Sequence, residues 1–175
     1  IGWNLMRICF GTSDFASSPY YSYDDMPPGQ TDPGLAHFGI QRDIELHIPD
    51  LIREAMALNP ELRLFASPWS QPGWMTSNDS MCAGYLLPKY YDVAARYYRM
   101  AVQAYEALGI PIYAFTLQNE PGMVHPGYPT CYFGWKDEQR FLLKVREEFD
   151  RHDLATLIWI FDHNFDQSMT FPGRI

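Results

Sequence analysis

The chain has 175 residues, of which 47% are hydrophobic and 16% aromatic, and its formal net charge is −8. Its length fits one domain, and a charged fraction of only 19% argues against intrinsic disorder. The acidic balance argues against a nucleic-acid binder, which needs clustered Lys and Arg to contact phosphates. No run reaches the roughly 18 apolar residues of a membrane helix. The aromatic content suits a carbohydrate site, but large cores and interfaces use aromatic side chains too.

Four short apolar runs predict buried strands. Each run is apolar on both faces, which is typical of parallel strands that are covered on both sides. They comprise residues 4–10, 62–66, 112–117 and 157–161.

Helical patterns separate these runs. Apolar residues recur at helical spacing over residues 48–58, 90–108 and 137–151. The pair Asn59-Pro60 ends the first helix, and Gly109 stands where a helix-terminating glycine is expected after the second. The alternation of strand and helix predicts an α/β fold built from βα units.

Two architectures satisfy that alternation, an open doubly wound sheet and a (β/α)8 TIM barrel. No Gly-rich phosphate loop follows any strand, which weakens the nucleotide-binding form of the open sheet. Polar and aromatic residues instead follow the strands, at positions 12–15, 67–70, 118–121 and 162–164. A barrel gathers such residues on one face, where its enzymes carry out their chemistry. A complete barrel needs about 250 residues, so we expect about half of one.

The sharpest feature is Asn119-Glu120-Pro121, which closes an apolar strand. Burial of the Glu120 carboxyl among aromatic side chains would favour its neutral form, as a general acid requires. Asn119 would donate a hydrogen bond to a substrate hydroxyl. The alternative is a Glu at a loop start that pairs with a surface Arg.

Residues 67–78, SPWSQPGWMTSN, resemble the SPW-x-x-P-x-W-[ML]-[KT] signature of the glucosylceramidase family, glycoside hydrolase family 30. Three further segments resemble that family in order and spacing. Residues 1–15, continuing to 20–24, are similar to its second barrel strand and following loop, residues 116–121 to its fourth strand, and residues 162–164 to the end of its fifth. Asn-Glu-Pro occurs in several barrel glycosidase families, but its combination with the SPW segment is much more specific.

The resemblance implies a role for each matching position. Glu120 corresponds to the family's general acid/base, and Asn119 to the neighbour that contacts the sugar 2-hydroxyl. Asp14 and Trp69 correspond to residues that bind the glycone hydroxyls and the sugar ring. Asp14 could instead only cap its loop, and Trp69 could be loop packing.

The resemblance also places Arg7 beside the catalytic carboxylates, where it would keep the nucleophile ionised. A structural ion pair is the alternative for Arg7. Phe15 and Tyr21 would line the entrance to the site. Residues 162–164, Asp-His-Asn, would form part of its wall, and Asp162 is a remote substitute for the nucleophile.

Other polar and aromatic residues receive structural interpretations. Trp74 is expected to pack, and the Asp24-Asp25 pair to be solvated, with a calcium site as a minor alternative. The Asp137-Glu138 pair opens a helix, where the helix dipole favours negative charge. No metal site is assigned, and the three cysteines, which match no zinc or CxxC pattern, are expected to be free thiols.

The resemblance implies a retaining β-glycosidase that hydrolyses the β-glucosyl bond of a glucosylceramide-type substrate with two carboxylates and no cofactor. The family places its nucleophile, a Glu, at the end of the seventh strand. That strand, the first strand and a β-sandwich domain lie outside this sequence. We therefore expect residues 1–175 to be a partial catalytic domain that is inactive alone.

Several alternatives remain open on the sequence. Within the same chemistry they are a β-1,6-glucanase, a β-xylosidase and a β-glucosidase. A catalytically inactive, carbohydrate-binding remnant is the alternative of another class. The expected partner is a carbohydrate or glycolipid substrate, and family members are commonly secreted or lysosomal, although no signal sequence is visible.

Overall fold

Strands and helices alternate along residues 2–164, the part of the chain that this computed structural model describes. Two single turns of 3₁₀-helix, Gly73–Met75 and Pro88–Tyr90, lie in the loops. In chain order the remaining elements are β1 Leu5–Phe10, α1 Gln41–Glu45, α2 Ile48–Leu58, β2 Arg63–Pro68, β3 Gly84–Tyr85, α3 Tyr91–Ala107, β4 Ile112–Thr116, β5 Cys131–Tyr132, α4 Trp135–Arg151 and β6 Leu157–Trp159.

The main sheet has four parallel strands in the order β1-β2-β4-β6. Each strand therefore lies beside the next long strand of the sequence. A doubly wound sheet would reverse its strand order at a switch point, whereas a barrel keeps sequence neighbours adjacent throughout. The topology confirms the prediction of part of a TIM barrel.

The predicted strands and helices are present, with shifts at their ends. The fourth strand ends at Trp159 and not at residue 161, because Phe161 has a φ of 54° and leaves the extended conformation. The last helix begins at Trp135, two residues before its predicted start, since the carbonyl of Gly134 accepts the first intrahelical bonds.

The outer face of the main sheet packs against α3 and α4 and forms the core. Aromatic side chains dominate this contact. Tyr98 of α3 lies over Phe115 of β4 with ring centroids 4.6 Å apart, and Phe141 and Phe149 of α4 are fully buried beside them. Burial of such rings supplies much of the hydrophobic stabilisation that holds helices to a sheet.

The inner face of the same sheet is only half covered, which corrects the expectation that both faces are buried. Phe65, Tyr113 and Trp159 lie on this face and are half-buried. The ring of Trp159 lies 5.2 Å from that of Phe65 and 6.2 Å from that of Tyr113. These aromatic side chains form the floor beneath the polar ends of the strands.

Three short elements were not predicted from the sequence. They are α1 and the strands β3 and β5, which pair in parallel as a second sheet. Elements of two to five residues are too short to show a hydrophobic period. The β3–β5 pair joins the loop after β2 to the loop after β4, so the two loops support each other.

A buried carboxylate fixes α1 to the loop after β1 and to α3. Asp43 has no exposed surface, and it accepts hydrogen bonds from the hydroxyls of Tyr21, Tyr23 and Tyr105 at 2.6, 2.5 and 2.5 Å. Burial raises the pKa of Asp43, whereas the three hydroxyls oppose that rise.

The expectation about the cysteines also agrees with the structure. Cys9, Cys82 and Cys131 are free thiols, as predicted. Within residues 2–164, no helix combines the length and the apolar character that crossing a membrane would require.

Substitution of Asp43 by Ala should destabilise the fold. Three buried tyrosine hydroxyls would lose their acceptor, and we expect the free energy of unfolding to fall by at least about 3 kcal/mol. Urea denaturation measures this change. Asp50→Ala, which removes an exposed carboxylate on α2, is the control and should cost less than about 1 kcal/mol. Equal losses in the two variants would contradict the role of Asp43.

Candidate active site

Three parallel strands bring a cation, an amide and a carboxylate together. Arg7 lies on β1, Asn119 follows β4 and Asp162 follows β6. The Nη2 atom of Arg7 donates to Asn119 Oδ1 at 2.7 Å and to Asp162 Oδ2 at 2.5 Å. The carboxyl ends of parallel strands meet at one edge, so residues far apart in sequence share this site.

Two hydroxyl groups complete the cluster around Asp162. Ser67 Oγ donates to Asp162 Oδ2 at 2.7 Å and accepts from Arg7 Nε at 3.1 Å. Thr116 Oγ1 lies 2.6 Å from Ser67 Oγ and 2.9 Å from Asp162 Oδ2, so its single proton is donated to one of them. Oδ2 of Asp162 is thus held by side chains from three other strands.

The position of Asp162 differs from the sequence-based expectation. It was expected to form only part of the site wall, but it is the acceptor around which Arg7, Ser67 and Thr116 are arranged. Ser67 was expected among the polar residues that gather at the strand ends, but without a role of its own. Thr116 was not predicted as a member of the cluster, and its only signal was a hydroxyl at the end of an apolar strand.

Glu120 is held in an unusual backbone conformation beside this cluster. Its φ is 46°, in the left-handed region that costs a residue with a side chain about 1–2 kcal/mol. The Glu120 N–H donates to the carbonyl of Asp162 at 2.8 Å, and the Asn119 N–H to that of Pro68 at 2.8 Å. Neighbouring strand ends therefore fix the peptide on each side of Asn119.

Glu120 is a half-buried residue. It was expected to be buried among aromatic side chains, and the described residues do not enclose it to that degree. Within residues 2–164 no side chain or backbone group donates a hydrogen bond to it.

Trp69 lies against Arg7 and supports it. The guanidinium carbon of Arg7 is 4.7 Å from the centre of the indole ring, a cation–π distance, and Trp69 is only 8% exposed. Gln118 Nε2 donates to the Trp69 carbonyl at 2.7 Å and to the Asn119 carbonyl at 3.0 Å. This side-chain amide couples the loop after β2 to the Asn-Glu-Pro segment.

The loop after β1 holds the remaining predicted site residues. Asp14 is exposed and has no hydrogen bond within residues 2–164, and Phe15 is 94% exposed. Tyr21 is half-buried, and its hydroxyl donates to Asp43 instead of facing outward. Its ring alone is left for an entrance role, and the contacts of Asp14, Phe15 and Tyr21 with sugar stay predictions.

Trp74 and His163 take structural positions. Trp74 is buried, its Nε1 donates to the carbonyl of Asp24 at 2.9 Å, and it packs on Tyr90, in agreement with the expectation of packing. His163 is half-buried and its ring stacks on that of Phe161.

Glu138 of α4 is a buried carboxyl directly behind the strand end that carries Asp162. Its Oε1 accepts from the Phe161 N–H at 3.1 Å, whereas its Oε2 is buried with no partner among the described residues. Burial raises the pKa of Glu138 to about 7. The sequence-based interpretation attributed the Asp137-Glu138 pair to the helix dipole and did not predict this contact. An acidic residue in the first turn of a helix is common, so it gave no sign of a partner elsewhere in the chain.

Comparison with known proteins identifies the family. The glycosyl hydrolase family 30 TIM-barrel domain matches residues 1–145. The chain belongs to glycosyl hydrolase family 30. The motif-based recognition of this family and of its barrel fold is therefore confirmed.

The relatives include enzymes named for different substrates. An endo-1,6-β-D-glucanase of Trichoderma harzianum is 36% identical over 186 residues, covering 99% of this chain and 37% of its own length. The lysosomal acid glucosylceramidase of Mus musculus is 30% identical over 148 residues, covering 80% of this chain and 28% of its own. A solved endo-β1,6-glucanase matches with a TM-score of 0.85 at 30% identity, over 99% of this chain and 39% of that one. The chain thus spans less than two fifths of these proteins.

The buried carboxyl of Glu138 should make stability depend on pH. The native state keeps its proton up to a pKa of about 7, above the ordinary 4.5, so stability falls as pH rises through that window. The loss should be on the order of 3 kcal/mol, and Glu138→Gln should remove it. Urea unfolding at pH 5 and pH 7.5 measures the difference between wild type and variant.

Glu147→Gln on the exposed side of α4 is the matched control, since Glu147 makes only a surface ion pair with Arg151. The difference in free energy of unfolding between this variant and wild type should be nearly the same at both pH values. A Glu138→Gln variant that parallels wild type from pH 5 to pH 7.5 would contradict the buried-proton explanation.

Proposed function

We propose that this chain supplies the acid/base part of the active site of a retaining β-glycosidase, with Glu120 as the general acid/base. The observation that supports this proposal most strongly is the left-handed backbone conformation of Glu120. The carbonyl of Asp162 holds this backbone beside the cluster of Arg7, Asn119 and Asp162. Strain of this kind is concentrated at functional sites, where the surrounding structure must impose it. The Asn-Glu-Pro motif of family 30 falls at this position.

The proposed reaction is a double displacement. Glu120 protonates the glycosidic oxygen while a second carboxylate attacks the anomeric carbon, and Glu120 then takes a proton from the water that releases the sugar. The second carboxylate must lie about 5–5.5 Å from the first. Asp162 is committed to its donors, so we assign the nucleophile to the Glu that the family places on its seventh barrel strand. Activity is accordingly a property of the complete barrel, and the proposed chemistry requires no cofactor.

The geometry of Asn119 supports its role in binding sugar. Arg7 can only donate hydrogen bonds, so the atom of Asn119 that it contacts must be the carbonyl Oδ1. That contact leaves the Nδ2 amide as the donor for a substrate hydroxyl. We propose that this hydroxyl is the sugar 2-OH, where a hydrogen bond that strengthens in the transition state aids glycoside cleavage.

For the substrate we propose a β-1,6-linked glucan, and glucosylceramide is the second candidate. Support for the glucan is the 36% identity to the Trichoderma enzyme over 99% of this chain. Support for glucosylceramide is the 30% identity to the mouse enzyme over 80% of it. Both substrates present a β-glucosyl unit, which the glycone residues Asp14, Trp69 and Asn119 would bind. Secretion or lysosomal delivery would suit either one.

Glu120→Gln in the full-length protein tests the acid/base assignment. Loss of the proton donor should lower kcat about 10²–10⁴-fold on a substrate with a poor leaving group. A dinitrophenyl β-glucoside needs little protonation on departure, so its glycosylation step should be far less affected. Glu61→Gln, an exposed change at the opposite end of β2, is the control and should retain full activity.

Azide gives a second measurement of the same assignment. In Glu120→Ala the small anion can occupy the space of the carboxyl and attack the glycosyl-enzyme, and the product should be a β-glucosyl azide with retained configuration. An α-azide, or wild-type turnover of poor leaving groups in Glu120→Gln, would overturn the assignment.

The substrate proposal is tested by comparing kcat/KM of the full-length protein on β-1,6-glucan and on glucosylceramide in detergent micelles. We expect at least a tenfold preference for the glucan. The opposite preference would select the second candidate while leaving the role of Glu120 intact.

A further inference from the structure

A second polar cluster lies in the long loop between β1 and α1. It consists of Asp24, Asp32 and His37, and one ligand atom from each lies within 4.8 Å of the other two. Trp74, from the loop after β2, donates to the carbonyl of Asp24 and does not belong to the Glu120 site. The cluster is unrelated to the proposed glycosidase chemistry.

The carboxylate of Asp24 is the unusual member of the cluster. Asp24 is 1% exposed, and both of its side-chain oxygens are buried with no hydrogen-bond partner within residues 2–164. A buried carboxylate ordinarily gains donors or a counter-charge, because removing it from water without them is costly. The titratable groups that act on it are the carboxylates of Asp32 and Asp25, which are of like charge, and the imidazole of His37.

The backbone around Asp24 is firmly held, so its side chain is placed by the fold and not by chance. Its carbonyl accepts from Trp74 Nε1 at 2.9 Å, and the carbonyl of Tyr23 accepts from Gly39 N at 2.8 Å. A turn with Leu35 N donating to the Asp32 carbonyl at 2.9 Å brings the other two members to the same place.

Asp32 and His37 already form a contact that a cation could replace. His37 Nδ1 lies 2.9 Å from Asp32 Oδ2, and the His37 N–H donates to the same oxygen at 2.8 Å. The side chain of His37 is 66% exposed, whereas that of Asp32 is 10% exposed. Two carboxylates inside and one imidazole at the surface leave the outer side of the cluster open to water.

We propose that Asp24, Asp32 and His37 bind one divalent transition-metal ion, for which zinc is the probe. Imidazole favours zinc and similar ions over calcium, which takes oxygen ligands almost exclusively. Zinc bonds of about 2.0–2.2 Å place ligand atoms roughly 3–4 Å apart, so a small side-chain movement closes the cluster around the ion. The ion neutralises the buried Asp24 carboxylate and replaces the shared proton between His37 and Asp32.

Binding would fasten the loop between β1 and α1. The same loop carries Asp14 and Phe15 near its start and Tyr21 in its middle. The ion would link Asp24, whose backbone is bonded to Trp74, to Asp32 and His37 later in the same loop. Its expected effect is therefore on the stability of the fold. This inference does not rest on the proposed function, because metal binding is measured without turnover.

The test is calorimetric titration of Zn²⁺ into the full-length protein after EDTA treatment and buffer exchange. We expect one saturable site in wild type, and a Kd at least tenfold weaker in Asp24→Asn and in His37→Gln. The melting temperature of wild type should rise with added Zn²⁺, and that of the two variants should rise less at the same Zn²⁺ concentration. His37→Gln changes an exposed side chain, so it keeps the test valid even if Asp24→Asn fails to fold.

The matched control is His47→Gln. His47 Nδ1 lies 3.0 Å from Asp50 Oδ2, so this exposed pair repeats the His–Asp contact without a buried third carboxylate. Zinc affinity should be unchanged in this control. The proposal is overturned if wild type shows no saturable site, if Asp24→Asn and His37→Gln bind like wild type, or if His47→Gln weakens binding equally.

Discussion

The ion pair between Arg7 and Asp162 links the two edges of the main sheet. In a flat sheet with strands about 4.8 Å apart, β1 and β6 would be roughly 14 Å from each other. The two charged atoms are nevertheless 2.5 Å apart, and Ser67 and Thr116 of the intervening strands also contact Asp162 Oδ2. The contact therefore depends on a sheet that curves toward its inner face, as in a barrel. The position of Glu120 follows from the same curvature, because its peptide N–H is bonded to the strand end of Asp162.

Three buried acidic residues differ in how many hydrogen-bond donors contact their carboxylates. This number distinguishes carboxylates that stabilise the fold from one that could bind a ligand. Asp43 has three tyrosine donors and fastens α1, and Glu138 has one backbone donor and fixes the turn before Asp162. Asp24 has none among residues 2–164, and burial together with the nearby Asp32 carboxylate raises its pKa to about 6. A carboxylate with its full set of donors needs no ligand, whereas one without donors is the place where a cation would be stabilised.

Much of the scaffold could be predicted because its signals are local. The apolar runs located the strands, and helical spacing located α2 without error at either end. Asn119 and Glu120 were identified because a polar pair closing an apolar strand is visible in one short segment. By contrast, Asp24 was expected to be solvated but is buried, and Glu138 was attributed to the helix dipole but contacts Phe161. In each case the decisive neighbour comes from a segment that is distant in sequence.

The sequence by itself determined the family, the barrel-type alternation and the Asn-Glu-Pro position, because these are properties of short segments and their order. Only the tertiary structure decided what each polar side chain contacts. In the tertiary structure, Asp162 accepts a hydrogen bond from Arg7 and is more than a residue of the site wall. The hydroxyl of Tyr21 donates to Asp43. The physical reason is that hydrogen bonds and ion pairs act over about 3 Å, and such proximity between strands arises only when the sheet has formed and curved.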